Sequence, residues 1–90
     1  VVMLLPVDCA RCQTLGELLS AWLDRMGWTP ADLARACRER GGSCDDSTAW
    51  RWLSGETIPD DRNRVILFDV LAFPEGVRLF AHELCGRARA

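Results

Sequence analysis

Cys9-x-x-Cys12 has the spacing with which two thiolates grip one zinc ion, and His82-x-x-Cys85 could supply the other two ligands of a tetrahedral site if the chain ends meet. A second reading needs no metal: Cys37 and Cys85 are small core residues, and Cys9 and Cys12 lie on an N-terminal arm. This is the reading adopted. The five cysteines are an odd number, so they cannot all pair within one chain. In the cytoplasm most would be reduced. His82 is the only histidine and has no evident serine or cysteine partner. The sequence shows no glycine-rich phosphate loop and no paired-carboxylate signature, so a non-enzyme without a cofactor is expected.

The chain has 90 residues, 49% hydrophobic and 27% charged, which suits one globular domain and leaves no room for a second core. A domain this small gains from a partner, so a homodimer is expected. The formal charge is −2 and the pI about 5.3, against the basic footprint usual in proteins that bind DNA phosphates. All 11 basic residues are arginine, a choice that suits phosphate forks and base edges or reflects a GC-rich genome. No run approaches the ~20 apolar residues of a membrane span. Val1–Val7 is short and lacks a basic flank, so no signal peptide is read and a cytoplasmic location is expected.

Five helices are expected to position the remaining chemistry. Leu15, Leu18, Leu19, Trp22, Leu23 and Met26 recur at helical spacing behind Thr14, which with Glu17 reads as a capping box, and Gly27 ends the helix. Thr29-Pro30-Ala31-Asp32 starts a second helix with Leu33, Ala34 and Cys37 inward, broken by Gly41-Gly42. Ser43–Asp46 offers caps for a third, with Ala49, Trp52 and Leu53 inward and Gly55 as its end. Asp60 can cap a fourth over Asp61–Ala72, apolar on more than one side and therefore buried. Pro74 opens a fifth, with Val77, Phe80, Ala81 and Leu84 inward, running to Gly86. The domain divides into an arm over 1–13, a helical unit over 14–86 and a tail over 87–90. Trp22, Trp28 and Trp52 are expected in the core, and Trp50 partly exposed.

Two short helices joined by a glycine-containing turn under a longer first helix match a helix-turn-helix. The run Gly27–Ala34, then Ser47-Thr48-Ala49-Trp50-Arg51-Trp52-Leu53-Ser54-Gly55 with Pro59 beyond it, resembles the Cro and lambda-repressor helix-turn-helix family. The resemblance covers about Leu15 to Phe73 and implies an all-α, lambda-repressor-like bundle. It places Asp45 at the cap of the recognition helix, and Asp46, Ser47, Thr48, Trp50 and Arg51 where the family touches bases and phosphates. The sequence departs from the family in two respects: the stretch from Cys37 to Ser47 exceeds its tight turn, and Asp46 and Trp50 replace uncharged polar residues. From Arg35 to Arg64, six arginines face six acids. The arginines must therefore segregate onto one face if DNA is to bind.

The function this implies is a sequence-specific transcriptional regulator, a repressor of phage, plasmid or toxin-antitoxin type, binding double-stranded DNA. The alternative is a protein-interaction module on the same scaffold, binding a toxin, a polymerase subunit or a repressor through the acidic turn and Trp50. Some of Val65, Phe68, Phe73 and Leu79 are expected to stay exposed on a monomer and to be covered in a twofold dimer. Recognition helices about 34 Å apart would then read a palindrome.

Overall fold

The computed structural model describes residues 11–89, and these form five helices and no strand. Helix α1 spans Leu15–Met26, α2 Pro30–Glu39, α3 Asp46–Ser54, α4 Asp61–Val70 and α5 Glu75–Arg89. None is long and apolar enough to cross a membrane. The expected all-α bundle is the observed architecture, and the succession of α2, turn and α3 is consistent with a helix-turn-helix. Helix α3 packs chiefly on α1 and α2, α4 packs on α2, and α5 on α1.

Each helix starts where a side chain satisfies amide groups that the helix itself leaves unpaired. At α1 the Thr14 hydroxyl accepts from Glu17 N at 3.2 Å. The Glu17 carboxylate, however, turns back to Gln13 N at 3.2 Å, one residue before the Thr14 amide that a capping box would use. At α2 the reciprocal box is complete: Asp32 N donates to the Thr29 hydroxyl and Thr29 N donates to the Asp32 carboxylate. Asp60 caps α4 through Asn63 N at 2.8 Å. Gly27 and Gly55 end α1 and α3 in the left-handed region, at φ 71° and 82°, where a glycine avoids the cost of a Cβ.

The core is built from the expected stripes. Leu18, Leu19, Leu33, Ala34, Ala49, Leu67 and Ala81 are wholly buried, each leucine contributing about 1.5–3 kcal/mol by leaving water. Cys37 and Cys85 lie in this core as expected, joined by Cys12 and Cys44. Trp52 is buried. Trp22 is half-buried: its indole N–H donates to the Leu71 carbonyl at 2.9 Å and its ring meets the edge of Phe73 at 5.0 Å. Trp28 is also half-buried, and Met26, at the end of its stripe, is exposed.

Helix ends and burial also differ from expectation in the structure. Helix α4 stops at Val70 rather than Ala72, because Pro74 disfavours helical geometry at Phe73 and the chain leaves the helix through Ala72 at φ 53°. That helix is buried on one side only: Leu67 and Phe68 are inside, while Val65 is 67% exposed. Helix α5 continues past Gly86 to Arg89, its last turn supported by an Arg87–Glu83 ion pair at 2.7 Å, so residues 87–89 extend the helix. Of Val65, Phe68, Phe73 and Leu79, some of which are expected to stay exposed, Val65 and Leu79 do so, whereas the Phe68 and Phe73 rings lie against each other in the core. Most of the proposed arm, including Cys9, lies outside the described residues, but Cys12 at its end packs into the core.

Candidate nucleic-acid interface

Helix α3 is held by its buried face and by a close backbone approach. Ala49 and Trp52 are buried, and Leu53 is half-buried against the same cluster. Gly16, near the start of α1, faces the C-terminal end of α3: a Cβ there would stand 2.5 Å from the Leu53 carbonyl oxygen and 2.8 Å from that of Trp52. Only a residue without a side chain lets α1 and α3 come so near.

The turn entering α3 is anchored just as firmly. Gly41 takes φ 88°, and a Cβ on Gly42 would lie 2.9 Å from the Cys37 carbonyl oxygen, so both glycines are required by the path. Helix α4 then grips the turn: Ser43 N donates to the Asn63 side-chain oxygen at 3.3 Å, the Asn63 amide donates to the Ser43 hydroxyl at 3.3 Å, and Arg62 donates to the Gly41 carbonyl at 3.3 Å. Arg40 pairs with Asp69 on the same helix. Cys44 is buried at the end of the turn, where contact with the Cys37 thiol and loss of water raise its pKa and keep it protonated. Arg38 donates to the Cys44 carbonyl at 3.0 Å.

With its inner face fixed, α3 presents Ser47, Trp50, Arg51 and Ser54 to solvent, positions at i, i+3, i+4 and i+7 that form one stripe. Trp50 is 63% exposed, as the sequence leads one to expect. Asp45 is the N-cap, accepting from Thr48 N at 2.7 Å, and this bond together with the Thr48 side chain holds its carboxyl below the ordinary value of 3.8. Asp46 is exposed in the first turn, with Arg38 at 3.9 Å. Thr48 is half-buried at the edge of the stripe. The five residues singled out from the sequence thus occupy one helix, with Ser47, Trp50 and Arg51 on its solvent stripe, Thr48 at the edge and Asp46 at the head.

Charge divides the surface further. Arg35 pairs with Asp32 at 2.6 Å, Arg64 with Asp61 at 3.5 Å and Arg40 with Asp69. Among the described residues no such pair ties down Arg51, which leaves its guanidinium available to an outside acceptor. Asp45 and Asp46 occupy the positive end of the α3 dipole, and their carboxylates offset the field that would otherwise favour an anion there. Beside the C-terminal half of the stripe lies a cleft of about 230 Å³ bordered by Trp50, Leu53, Leu23, Asp24, Trp28 and Pro30.

The zinc alternative finds no support in the described part of the chain. No three His, Cys, Asp or Glu side chains converge there, and His82 lies edge-on to Phe68 at 4.9 Å. Cys9 lies outside the described residues.

No family model, no curated protein and no solved structure matches this chain.

Sequence reasoning missed Gly16, Gly42 as a contact residue, Cys44 and Asn63. Gly16 and Asn63 act through neighbours far along the chain, whereas Gly42 and Cys44 both meet Cys37. Ser43 and Asn63 are separated by 20 residues, and no local pattern marks such a pair.

Proposed function

We propose that the chain is a sequence-specific DNA-binding transcriptional regulator of the repressor kind, with α3 as the element that enters the major groove. The observation that supports this most is the division of α3 into a fixed inner face and one exposed stripe carrying Ser47, Trp50 and Arg51. Arg51 suits the O6 and N7 acceptors of guanine, and Ser47 and Thr48 suit base edges or phosphate oxygens. Asp46 accepts from the amino group of cytosine, and Trp50 offers apolar surface to a thymine methyl. Because most arginines around the helix-turn-helix are already paired with acids, few phosphates are neutralised. The salt dependence should be shallow, with a slope of about −1 to −3 in log K against log salt. Such a regulator works in the cytoplasm.

Selection of bound duplexes from a random library, followed by titration of the winner, tests the reading. A defined motif should emerge, and Arg51→Ala should weaken binding to it by about 1–3 kcal/mol. No enriched sequence, with Arg51→Ala equal to the parent protein, removes the proposal.

One observation favours a second reading, a protein-interaction module. Trp50 borders an apolar cleft together with Trp28, and two carboxylates stand at the head of the same helix. An exposed tryptophan beside a cleft is the usual anchor of a protein interface.

A further inference from the structure

Deepening the second reading, we propose that the cleft between Trp28 and Trp50 receives an arginine side chain of a partner polypeptide. The walls come from three helices: Leu23 and Asp24 from α1, Trp28 and Pro30 at the entry to α2, and Trp50 and Leu53 from α3. Asp24 is the only charged residue among those bordering the cleft. No ion pair engages its carboxylate among the described residues. Two indoles and one carboxylate around a small cleft suit a cation: the face of an indole carries the negative side of its quadrupole, and the carboxylate supplies the counter-charge.

Size and surroundings narrow the ligand. At about 230 Å³ the cleft is smaller than the ~300–1,000 Å³ of a small-molecule pocket, so it suits a single side chain. A planar guanidinium stacks on indole and sheds water more readily than an ammonium, which favours arginine over lysine. The same α1 already makes this kind of contact within the chain, where the Arg25 guanidinium lies 5.6 Å from the Trp22 ring centre. Trp28 also borders a second depression, of about 350 Å³, with Glu39, Asp32 and Arg35 at its edge. Arg35 is held by Asp32, leaving Glu39 as the acid that a further basic residue would meet. A surface continuing past the first cleft with the same sign of charge fits a basic segment of polypeptide better than an isolated small cation.

The test uses the whole chain labelled with ¹⁵N and follows its four indole N–H signals during titration with a blocked arginine tripeptide. Its citrulline counterpart serves as the neutral isostere, and tetramethylammonium as the free cation. The Trp28 and Trp50 signals should move saturably with the arginine peptide, and Trp22 and Trp52 should stay in place. Citrulline should bind at least about tenfold more weakly, and Asp24→Asn should weaken the arginine peptide about threefold to fivefold. Asp24 is exposed and makes no side-chain hydrogen bond among the described residues, so the variant should melt with the parent protein. Trp50→Ala, at an exposed position, should abolish the response. Equal binding of arginine and citrulline overturns the cation assignment while leaving a peptide-binding module. Tighter binding of tetramethylammonium overturns the choice of a polypeptide, and no response to either peptide removes this inference together with the module it rests on. Because Asp24 is outside the stripe proposed for DNA, Asp24→Asn should select the same DNA sequence as the parent protein, which separates this test from that of the DNA reading.

Discussion

Gly16 sits against the carbonyl of Leu53, so close that a methyl group in its place would stand 2.5 Å from the oxygen. This contact sets how near α3 lies to α1, and with it where the exposed stripe is presented. Gly16→Ala should destabilise the fold by about 1–2 kcal/mol: overpacking costs ~1–3 kcal/mol, and the small gain in helix propensity near a helix start offsets only part of it. Urea denaturation measures the change. A variant as stable as the parent protein would mean that α1 and α3 can separate freely and that α3 is not rigidly presented.

The head of α3 should respond to acid. Hydrogen bonds from Thr48 keep the Asp45 carboxyl below its ordinary 3.8 in the folded chain. A folded-state pKa below the unfolded one means that the charge contributes stability above the unfolded value, and this is lost as pH falls from about 4 through the folded value. Asp45→Ala should therefore lower the melting temperature at pH 7, and the gap between variant and parent should narrow toward pH 2. A gap independent of pH would show that the cap works without its charge.

Arg64 is a half-buried cation with an incomplete set of partners among the described residues. Its side chain is 12% exposed, Nη1 lies 3.5 Å from an exposed Asp61 oxygen, and Nε and Nη2 are buried without a hydrogen-bond partner among the described residues. An apolar replacement of similar length removes this desolvation penalty and keeps the packing of the stem. Arg64→Met should accordingly leave stability unchanged or raise it by about 1–2 kcal/mol. Thermal and urea unfolding report the sign, and a loss above ~2 kcal/mol would mean that the guanidinium is well satisfied in solution.

Val65 and Leu79 are 67% and 64% exposed, and a twofold dimer is expected to cover at least one of them. Sedimentation of the parent protein at micromolar concentration should give a dimer, and Leu79→Glu should give a folded monomer, since Leu79 lies outside the core. A parent protein that sediments as a monomer at every concentration tested excludes the dimer, and with it the palindromic operator.

Periodicity and end signals in the sequence determined the five helices. Leu15, Leu18 and Leu19 fall on one face, Thr29 and Asp32 close a complete cap, and Gly27 and Gly55 sit where the chain must turn left-handed. These are local physics, set by residues within a few positions of one another, and a linear pattern displays them. The stripe of Ser47, Trp50 and Arg51 was legible for the same reason, because the burial of Ala49 and Trp52 fixes the opposite face of a short helix. Tertiary structure alone decided the rest. Phe68 and Phe73 look as exposable as Val65 and Leu79 in sequence, yet the first pair lie against each other inside and the second pair stay out, according to which neighbours α4 and α5 meet. The long turn before α3 reads as a loose insertion, yet Asn63, Arg62 and Asp69 on α4 tie it down. The cleft joining Asp24, Trp28 and Trp50 exists only because three helices converge there. Helix ends depend on near neighbours, whereas these contacts depend on how whole helices pack, and no local spacing encodes that.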